Sequence, residues 1–308
     1  MANPLGVPVG FGAGTAMTGV DQVRSGARWA ADTGFSSFWV SQIFGVDPIV
    51  ALAAVAADVT PLTEVGTSVV PLTGRHPLAL AAQARTAQGA LGGRFTLGVG
   101  ASHALVAEGF FGESYDRPFT RTAEFVAALA PLLSGEAVDV PGELVETHGW
   151  LTIDAAPVPL LLAALGPRML ALAGRVADGT TLGSCGPRTI AGHIAPVIRA
   201  SAAEAGRPEP RIQAMVAVAV TDDPDRAHVE AVEAEQLYAS LPSYRRVLDL
   251  EGVVSPGDLL LAGTIDRIVD GLADYVDAGV TELRLTIGSS DASVRAATGD
   301  ALGTLLAG

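Results

Sequence analysis

The chain has 308 residues, of which 49% are hydrophobic, and this is enough apolar material for one large domain or two ordinary ones. Its 19 basic residues are all arginine, and its acidic residues number 33, so the net charge is −14. An acidic chain repels the phosphates of nucleic acids unless it carries a local basic stripe. The sequence has no such stripe, so nucleic-acid binding is excluded. A membrane span needs an apolar run of about 20 residues, and the sequence contains none. The first ten residues also lack the pattern of a signal peptide. We therefore expect a soluble cytoplasmic protein.

Short β-rich runs alternate with Ala-rich helical runs along the whole chain, without a break in composition. The predicted strands are 7–12, 36–42, 63–70, 94–100, 159–165, 179–185, 211–220 and 281–288. The clearest predicted helices are 21–34, 47–59, 76–93 and 265–279. Several strands are apolar on both faces, as parallel strands covered by helices must be. The pattern predicts an α/β fold, a closed (β/α)8 TIM barrel spanning 1–308 as a single domain; an open doubly wound sheet is the alternative.

Two intervals are longer than a simple barrel requires. The first is an insertion at about 101–158, between strands four and five, in which we expect a helix over 117–135 and a small hairpin within 137–154. The second covers 241–263, between the seventh strand and the last helix. Long loops in a compact domain are usually lids or binding segments, and insertions after barrel strands lie at the C-terminal mouth, where ligands bind.

A strand followed by Gly-Pro-Arg occurs in LGPRML, at Leu165–Arg168. Proline suits the first helical position, and the next backbone N–H groups of a helix have no intrahelical acceptor, so such a start can bind an anion. Arg188, in CGPRT, repeats the motif after the next strand, and two such starts favour a cofactor phosphate. Arg75 is a weaker candidate for the same role. The alternative is that each motif only begins a helix and its arginine faces water.

Gly98 and Gly100 end the fourth strand in GRFTLGVGASH. Because they carry no side chain, the backbone there can approach a flat ring closely. A third glycine at the spacing of a dinucleotide-binding motif is missing, and a turn that needs small residues is the alternative interpretation.

Four segments together resemble the luciferase-like monooxygenase superfamily, and specifically its deazaflavin-dependent branch. They are GRFTLGVGASH, FGESYDRP, PVPLLLAALGPRMLALAGRVADGTTL and VGTSVVPLTGRHPLALAAQA. The likeness spans almost the whole chain, and GRFTLGVG and LGPRML are its most specific parts. The resemblance implies a deazaflavin (coenzyme F420) or a flavin such as FMN at the barrel mouth, hydride chemistry on an organic substrate, and a homodimer.

The resemblance also implies particular site residues. A non-prolyl cis peptide at Ser68–Val69 would bulge against one face of the ring system, with an ordinary trans strand end as the alternative. Ser41 and Gln42 lie where relatives contact the cofactor, although they could be only a polar strand terminus. The predicted cofactor-binding residues are Ser41, Gln42, Ser68, Val69, Gly100, Ala101, Ser102, Leu165, Gly166, Pro167, Arg168 and Arg188.

His103 follows the fourth strand and is the candidate catalytic acid, because an imidazole can protonate a substrate after hydride transfer near neutral pH. Tyr115 is a second candidate proton donor. The alternative for His103 is a structural histidine packed under GVGAS. The remaining histidines, which we interpret as structural or solvated, are His76, His148, His193 and His228. They lack metal-site spacing, and the single Cys185 cannot form an intrachain disulfide, so we expect no metal.

The chain departs from the sugar-phosphate dehydrogenases of the family. Those enzymes carry Asp-His at the end of the second strand, where this chain has Gln42–Ile43, and their acid after the fourth strand is matched here by Ser102–His103. A phosphosugar is therefore disfavoured as the substrate. An apolar or aromatic substrate is suggested by residues of the mouth loops, which lid packing would also explain: Phe110, Phe111, Tyr115, Tyr244 and Arg245.

Three functions are compatible with the sequence. The first is an F420-dependent oxidoreductase that reduces an activated C=C, C=N or C=O bond of a small organic substrate. The second is an FMN-dependent monooxygenase, which differs because a deazaflavin favours hydride transfer over oxygen activation. The third is a non-catalytic flavin-binding barrel, which the fold permits because function resides in sites.

Overall fold

Eight parallel strands close into a barrel in the computed structural model, which describes residues 3–14, 17–42 and 44–307. Each barrel strand pairs with the next, and the eighth pairs with the first. The barrel strands are β1 (Val9–Ala13), β2 (Ser37–Val40), β3 (Glu64–Thr67), β4 (Phe95–Gly100), β5 (Leu160–Leu162), β6 (Gly179–Leu182), β7 (Arg211–Val220) and β8 (Glu282–Ile287). The predicted (β/α)8 barrel is confirmed, and the open-sheet alternative is wrong.

Helices surround the strands. They are α1 (Val20–Thr33), α2 (Pro48–Ala54), α3 (Pro77–Ala90), α4 (Ala104–Phe110), α5 (Pro118–Ser134), α6 (Pro167–Val176), α7 (Pro187–Thr189), α8 (Ala195–Glu204), α9 (Pro224–Ala234), α10 (Gln236–Ala239), α11 (Pro242–Glu251), α12 (Ile265–Asp277) and α13 (Ala292–Ala307). A π-helical turn over Ile190–Ile194 joins α7 to α8. In the described part of the chain, every helix is too short or too polar to cross a membrane.

One predicted helix is shorter than its pattern suggested. The prediction over 47–59 becomes α2, which ends at Ala54 and is followed by turns up to residue 61. Val55 and Val59 in these turns and Leu62 directly after them are completely or almost completely buried. The apolar run therefore continues into the core without continuing the helix.

The two long intervals contain additional elements at the ends of β4 and β7. Between β4 and β5 lie α4, α5 and an antiparallel hairpin of Val138–Val140 with Thr147–Gly149. After β7 come α9, α10 and α11, a 3-10 turn over Pro256–Leu259, and the strand Leu261–Gly263, which pairs with β7. Both intervals follow the carboxyl ends of barrel strands, so they can contribute residues to the mouth.

The middle of the barrel is filled by Trp39 of β2, which is 1% exposed. Its Nε1 donates a hydrogen bond to Ser37 Oγ at 2.9 Å. A Cβ atom on Gly66 would lie 2.4 Å from Trp39 Cζ3, and one on Gly10 would lie 3.0 Å from Trp39 Nε1. The two glycines therefore make room for the indole, and the barrel interior is a packed core rather than a pore.

An ion cluster closes the N-terminal end of the barrel. Arg211 donates two hydrogen bonds of 2.9 Å to the carboxylate of Glu64 and one of 2.6 Å to Glu282 Oε2. Thr96 Oγ1 also donates to Glu64 Oε1. These residues begin or nearly begin β7, β3, β8 and β4, so the cluster joins four strands at the floor.

Replacing Arg211 should destabilise the fold strongly, because two carboxylates would lose their shared partner in a largely buried place. We expect Arg211→Ala to lower the free energy of unfolding by about 3 kcal/mol. The matched control is Arg226→Ala, which breaks the exposed pair with Glu230 and should cost less than about 1 kcal/mol. Urea denaturation measures both values, and equal losses would contradict the assignment of the cluster as a structural plug.

Candidate active site

The mouth is shaped by a bulge after β3. The peptide bond between Ser68 and Val69 is cis, as predicted, so the trans alternative is wrong. Ser41 Oγ donates a 2.5 Å hydrogen bond to Ser68 O, and Gln42 N donates to Val69 O at 3.1 Å. The end of β2 thus holds both carbonyl groups of the bulge.

The bulge arises because three residues, 67–69, lie between two paired positions at the end of β3, whereas only two, 97–98, lie opposite them in β4. Gly66 pairs with Thr96, and pairing resumes between Val70 and Val99. In the gap, the hydroxyl of Thr67 replaces the backbone ladder: it donates to Gly98 O at 2.8 Å and accepts from Gly98 N at 2.9 Å. This is the geometry of a β-bulge, which re-aims side chains at the end of a strand.

The two glycines of β4 pack against this bulge. A Cβ atom on Gly98 would lie 2.1 Å from Thr67 O, and one on Gly100 would lie 3.0 Å from Val69 Cγ2. The expectation of free backbone for a flat ligand is therefore wrong for Gly98, and for Gly100 it stays a prediction. The missing side chains are replaced by Thr67 and Val69, and Val69 is the group left at the mouth.

A buried chain of hydroxyl groups supports the bulge from below. Thr181 Oγ1 donates to Gln213 Oε1 at 2.6 Å, so its oxygen is free to accept from Ser68 Oγ, 2.8 Å away. All three side chains are buried. The contacts connect β3 to β6 and β7 across the barrel and fix the orientation of Ser68.

Arg75 is committed to protein contacts. Its Nη2 donates to Gln42 Oε1 at 2.7 Å and to Asp47 Oδ2 at 3.2 Å, and its Nη1 donates to Pro71 O at 3.1 Å. Its charge is neutralised by Asp47, so it fits a bracing role better than phosphate binding. The amide side chain of Gln42 belongs to the same brace.

The first Gly-Pro-Arg motif begins a helix at the mouth, as predicted. Gly166 is the N-cap of α6, Pro167 is the first helical residue, and no side chain caps this start. A Cβ atom on Gly166 would meet nothing within 4 Å. Arg168 is exposed and lies over the ring of Phe119, with its Cζ 4.0 Å from the ring centroid. The N–H groups of Arg168 and Met169 are therefore available to an anion.

The second Gly-Pro-Arg motif is already occupied by an acidic side chain. Glu251, at the end of α11, accepts hydrogen bonds from Thr189 N at 2.7 Å and from Arg188 N at 3.2 Å. A Cβ atom on Gly186 would lie 2.3 Å from Glu251 Cδ. The expectation of an open anion site at Arg188 is thus corrected, because a carboxylate of the protein takes that place.

His103 lies at the mouth as the N-cap of α4, but its side chain makes no capping hydrogen bond. Its ring centroid is 5.8 Å from that of Tyr244 and 6.3 Å from that of Tyr238. Burial lowers the pKa of the imidazole below its usual 6.5. The resting side chain is therefore neutral at pH 7.

Tyr115 supports the turn before His103. Its hydroxyl donates a 2.7 Å hydrogen bond to Ser102 O. Ser102 has a φ of 66°, a left-handed conformation that costs energy for a residue with a side chain and that is frequent at functional sites. Burial raises the pKa of Tyr115, so its proton stays in this bond. This geometry favours a positioning role for Tyr115.

The sequence analysis named Tyr244 as a mouth residue but missed Tyr238, which also faces His103. Tyr238 and Tyr244 pack edge to face with their centroids 5.4 Å apart. Burial raises the pKa of both phenols and of the Glu235 carboxyl. Glu235 and Tyr238 come from the segment after β7, more than 130 positions beyond His103, and they precede the long interval 241–263 that the sequence analysis singled out.

Other predicted lid residues lie away from this cluster. Phe110 is 63% exposed and packs on Phe44, with ring centroids 4.6 Å apart. Phe111 covers Gly74, on which a Cβ atom would lie 2.5 Å from the phenylalanine ring. Arg245 is exposed and pairs with Asp249 on the same helix. Of the predicted lid residues, Tyr244 is the one that reaches His103.

The remaining histidines make protein contacts. His193 Nε2 lies 3.0 Å from Leu165 O, His76 caps α3 through Leu78 N, and His228 lies 3.3 Å from Asp258. His148 contacts Asp139 and Glu146, which raise its pKa. Among the described residues, no cluster of three His, Cys, Asp or Glu side chains could hold a metal ion.

Comparison with known proteins decides the family. The family described as luciferase-like monooxygenase matches residues 7–282. The chain belongs to the luciferase-like monooxygenase family. The predicted resemblance is thereby confirmed over nearly the whole barrel.

Relatives within this family carry informative names. The chain is 31% identical over 255 residues to an F420-dependent glucose-6-phosphate dehydrogenase of Nocardia farcinica, covering 75% of each chain. It is 27% identical over 278 residues to a 5,10-methylenetetrahydromethanopterin reductase of Methanolobus tindarius, covering 83% of this chain and 85% of the relative. A solved F420-dependent secondary alcohol dehydrogenase shares the fold, with a TM-score of 0.82 at 19% identity over 97% of this chain and 98% of that one.

The residues that distinguish this chain from the sugar-phosphate dehydrogenases in the sequence analysis make protein contacts. Gln42 is tied to Arg75, and His103 faces Tyr238 and Tyr244. Ile43, the other residue of that departure, lies outside the described residues.

Adding one methyl group to Gly98 should test the origin of the bulge. Gly98→Ala places a Cβ atom against the carbonyl of Thr67, so we expect a loss of at least about 2 kcal/mol in the free energy of unfolding. Gly109→Ala is the matched control, because Gly109 lies in α4 with nothing within 4 Å of a new Cβ, and its stability should be unchanged or slightly higher. Thermal denaturation compares them, and a fully stable Gly98→Ala protein would refute the packing described above.

Proposed function

We propose that this chain is an oxidoreductase that transfers a hydride between a deazaflavin, coenzyme F420, and a small organic substrate with an activated C=C, C=N or C=O bond. The observation that carries the proposal is the open helix start at Gly166–Arg168, beside a mouth whose other Gly-Pro-Arg start is filled by Glu251. The F420-dependent relatives in the family support the same cofactor.

The helix start would hold the phosphate of the cofactor. Backbone N–H groups at the beginning of α6 and the guanidinium of Arg168 provide donors for a phosphate oxygen. Leu165, Gly166 and Pro167 approach the ligand through backbone, because Gly166 and Pro167 present little side-chain bulk at this point.

The bulge would hold the ring system. Val69 presents its side chain beside Gly100, while Ser41 and Gln42 keep the carbonyl groups of Ser68 and Val69 in place. The backbone that follows β4, at Ala101 and Ser102, borders the same space. When bound, the deazaflavin would supply or accept the hydride at this place.

His103 is proposed to handle the proton of the substrate. Because burial keeps the imidazole neutral at pH 7, it is a ready base for removing a proton from an alcohol as a hydride leaves. In the reverse direction it must first be protonated before it can act as an acid. The surrounding Tyr238 and Tyr244 rings favour an apolar or aromatic substrate.

Two broader features are proposed from the family resemblance. The protein would act as a homodimer of single-domain subunits, and it would work in the cytoplasm. Its small-molecule substrate would enter at the mouth, between the segment after β4 and the segment after β7.

Two arginines with the same local motif give a matched test of the phosphate site. Arg168→Ala should weaken F420 binding by about 1.5 to 3 kcal/mol, the range for a charge-assisted hydrogen bond. Arg188→Ala should leave the dissociation constant unchanged, because its helix start is occupied by Glu251. Quenching of tryptophan fluorescence measures both constants. Equal effects of the two substitutions would contradict the assignment.

The pH dependence of single turnovers tests His103. With saturating reduced F420 and 2-cyclohexenone, the rate should fall as pH rises through the pKa of His103, which lies below 6.5, because the imidazolium form is the acid. His103→Ala should lower the rate at low pH by roughly 10²- to 10⁴-fold and remove this pH dependence.

F420 affinity, measured at each pH, is the control for this experiment. Affinity should be similar in wild type and His103→Ala. A mutant with wild-type chemical rates would remove the catalytic assignment and leave solvent as the proton source.

A further inference from the structure

Arg284 is a buried cation inside the barrel. It lies on β8 and is 4% exposed. Its side chain runs beside Gly12, on which a Cβ atom would lie 3.2 Å from Arg284 Cγ and 3.4 Å from Cδ. The guanidinium ends under the bulge, with Nη1 3.4 Å from Ser68 O. Glycine at position 12 therefore gives this side chain its path toward the mouth.

The hydrogen-bonding capacity of Arg284 is almost unused. A guanidinium has five N–H donors, and within the described ranges the long contact to Ser68 O is its one hydrogen bond. Its Nε is buried without any partner. Ser68 O already accepts the shorter bond from Ser41, so the contact with Arg284 is a weak one.

No carboxylate in the described part of the chain forms an ion pair with Arg284. Glu282, two positions earlier on β8, attracts Arg284 electrostatically, but it makes no hydrogen bond to Arg284 and gives its Oε2 to Arg211 at 2.6 Å. A buried charge without a partner costs several kcal/mol. Burial lowers the pKa of Arg284 to about 10, so the group stays charged at pH 7 and carries this cost.

The position of the cation points to a ligand at the mouth. Ser68, whose carbonyl oxygen accepts the contact from Arg284 Nη1, belongs to the cis bulge that shapes the mouth. Arg284 thus lies directly against the backbone of the bulge. A ligand placed there could supply the missing acceptors.

We infer that Arg284 is the anchoring residue of the mouth and that its guanidinium binds the acceptor oxygens of a planar carbonyl or carboxylate group lying against Ser68–Val69. Arginine suits this chemistry, because its planar fork pairs with two oxygens at once. The inference rests on the proposed function for the identity of the ligand: the carbonyl edge of the deazaflavin is one source of these oxygens, and a carboxylate of the substrate is the other.

The test compares Arg284→Met, which keeps length and removes the charge, with Arg284→Lys, which keeps the charge and loses the fork. Arg246→Met is the matched control, because it removes one exposed positive charge from α11. Melting temperatures are measured without ligand. Dissociation constants are measured by tryptophan fluorescence for F420, and for cinnamate and its methyl ester with and without F420.

We expect unliganded Arg284→Met to melt at or above the wild-type temperature, because an uncompensated buried charge is gone. If the cofactor supplies the oxygens, its dissociation constant rises by about 10- to 100-fold in Arg284→Met, less in Arg284→Lys, and not at all in Arg246→Met. If the substrate supplies them, F420 affinity is unchanged, and the wild-type preference for cinnamate over its methyl ester disappears in Arg284→Met.

A lower melting temperature of Arg284→Met with unchanged F420 affinity and unchanged cinnamate preference would overturn the inference and make Arg284 a structural residue. Failure of the wild-type protein to bind F420 would instead contradict the proposed function. In that case the comparison of cinnamate with its methyl ester alone would decide the inference on Arg284. If the wild-type protein bound the two compounds equally well, the inference would be overturned.

Discussion

The close approach of the Thr67 carbonyl to Gly98 is the constraint on which the mouth depends. With one extra residue between Gly66 and Val70, the chain must leave the ladder, and the hydroxyl of Thr67 satisfies both backbone groups of Gly98. Only a residue without a side chain fits beneath that carbonyl. The bulge at Ser68–Val69 and the direction of Val69 follow from this packing.

The same bulge organises the polar interior. Ser68 reaches across the barrel to Thr181, and through it to Gln213, while its carbonyl oxygen receives Ser41 from one side and Arg284 from the other. Below this layer the indole of Trp39 closes the lumen. Stability is therefore concentrated at the floor and the middle of the barrel. At the top, the start of α6 has no side-chain cap and Arg284 Nε has no hydrogen-bond partner among the described residues, and the mouth is where ligands bind in (β/α)8 barrels.

Sequence reasoning found the strands because their apolar runs are strong and local, and family resemblance supplied the cis bond at Ser68–Val69, which no propensity would suggest. It could not separate Arg168 from Arg188, because the difference is a carboxylate at Glu251, more than sixty positions away. Arg284 was missed because a single arginine in an apolar strand does not show whether the folded protein supplies a carboxylate to pair with it. Tyr238 was missed for a similar reason, since folding alone brings it to His103.

The central claim is that the mouth binds a deazaflavin for hydride transfer, and titration of the purified wild-type protein tests it most directly. Fluorescence of its 3 tryptophans should be quenched saturably by F420, with a dissociation constant at least about tenfold lower than that for FMN. Tighter binding of FMN, or saturable quenching by neither cofactor, would contradict the account.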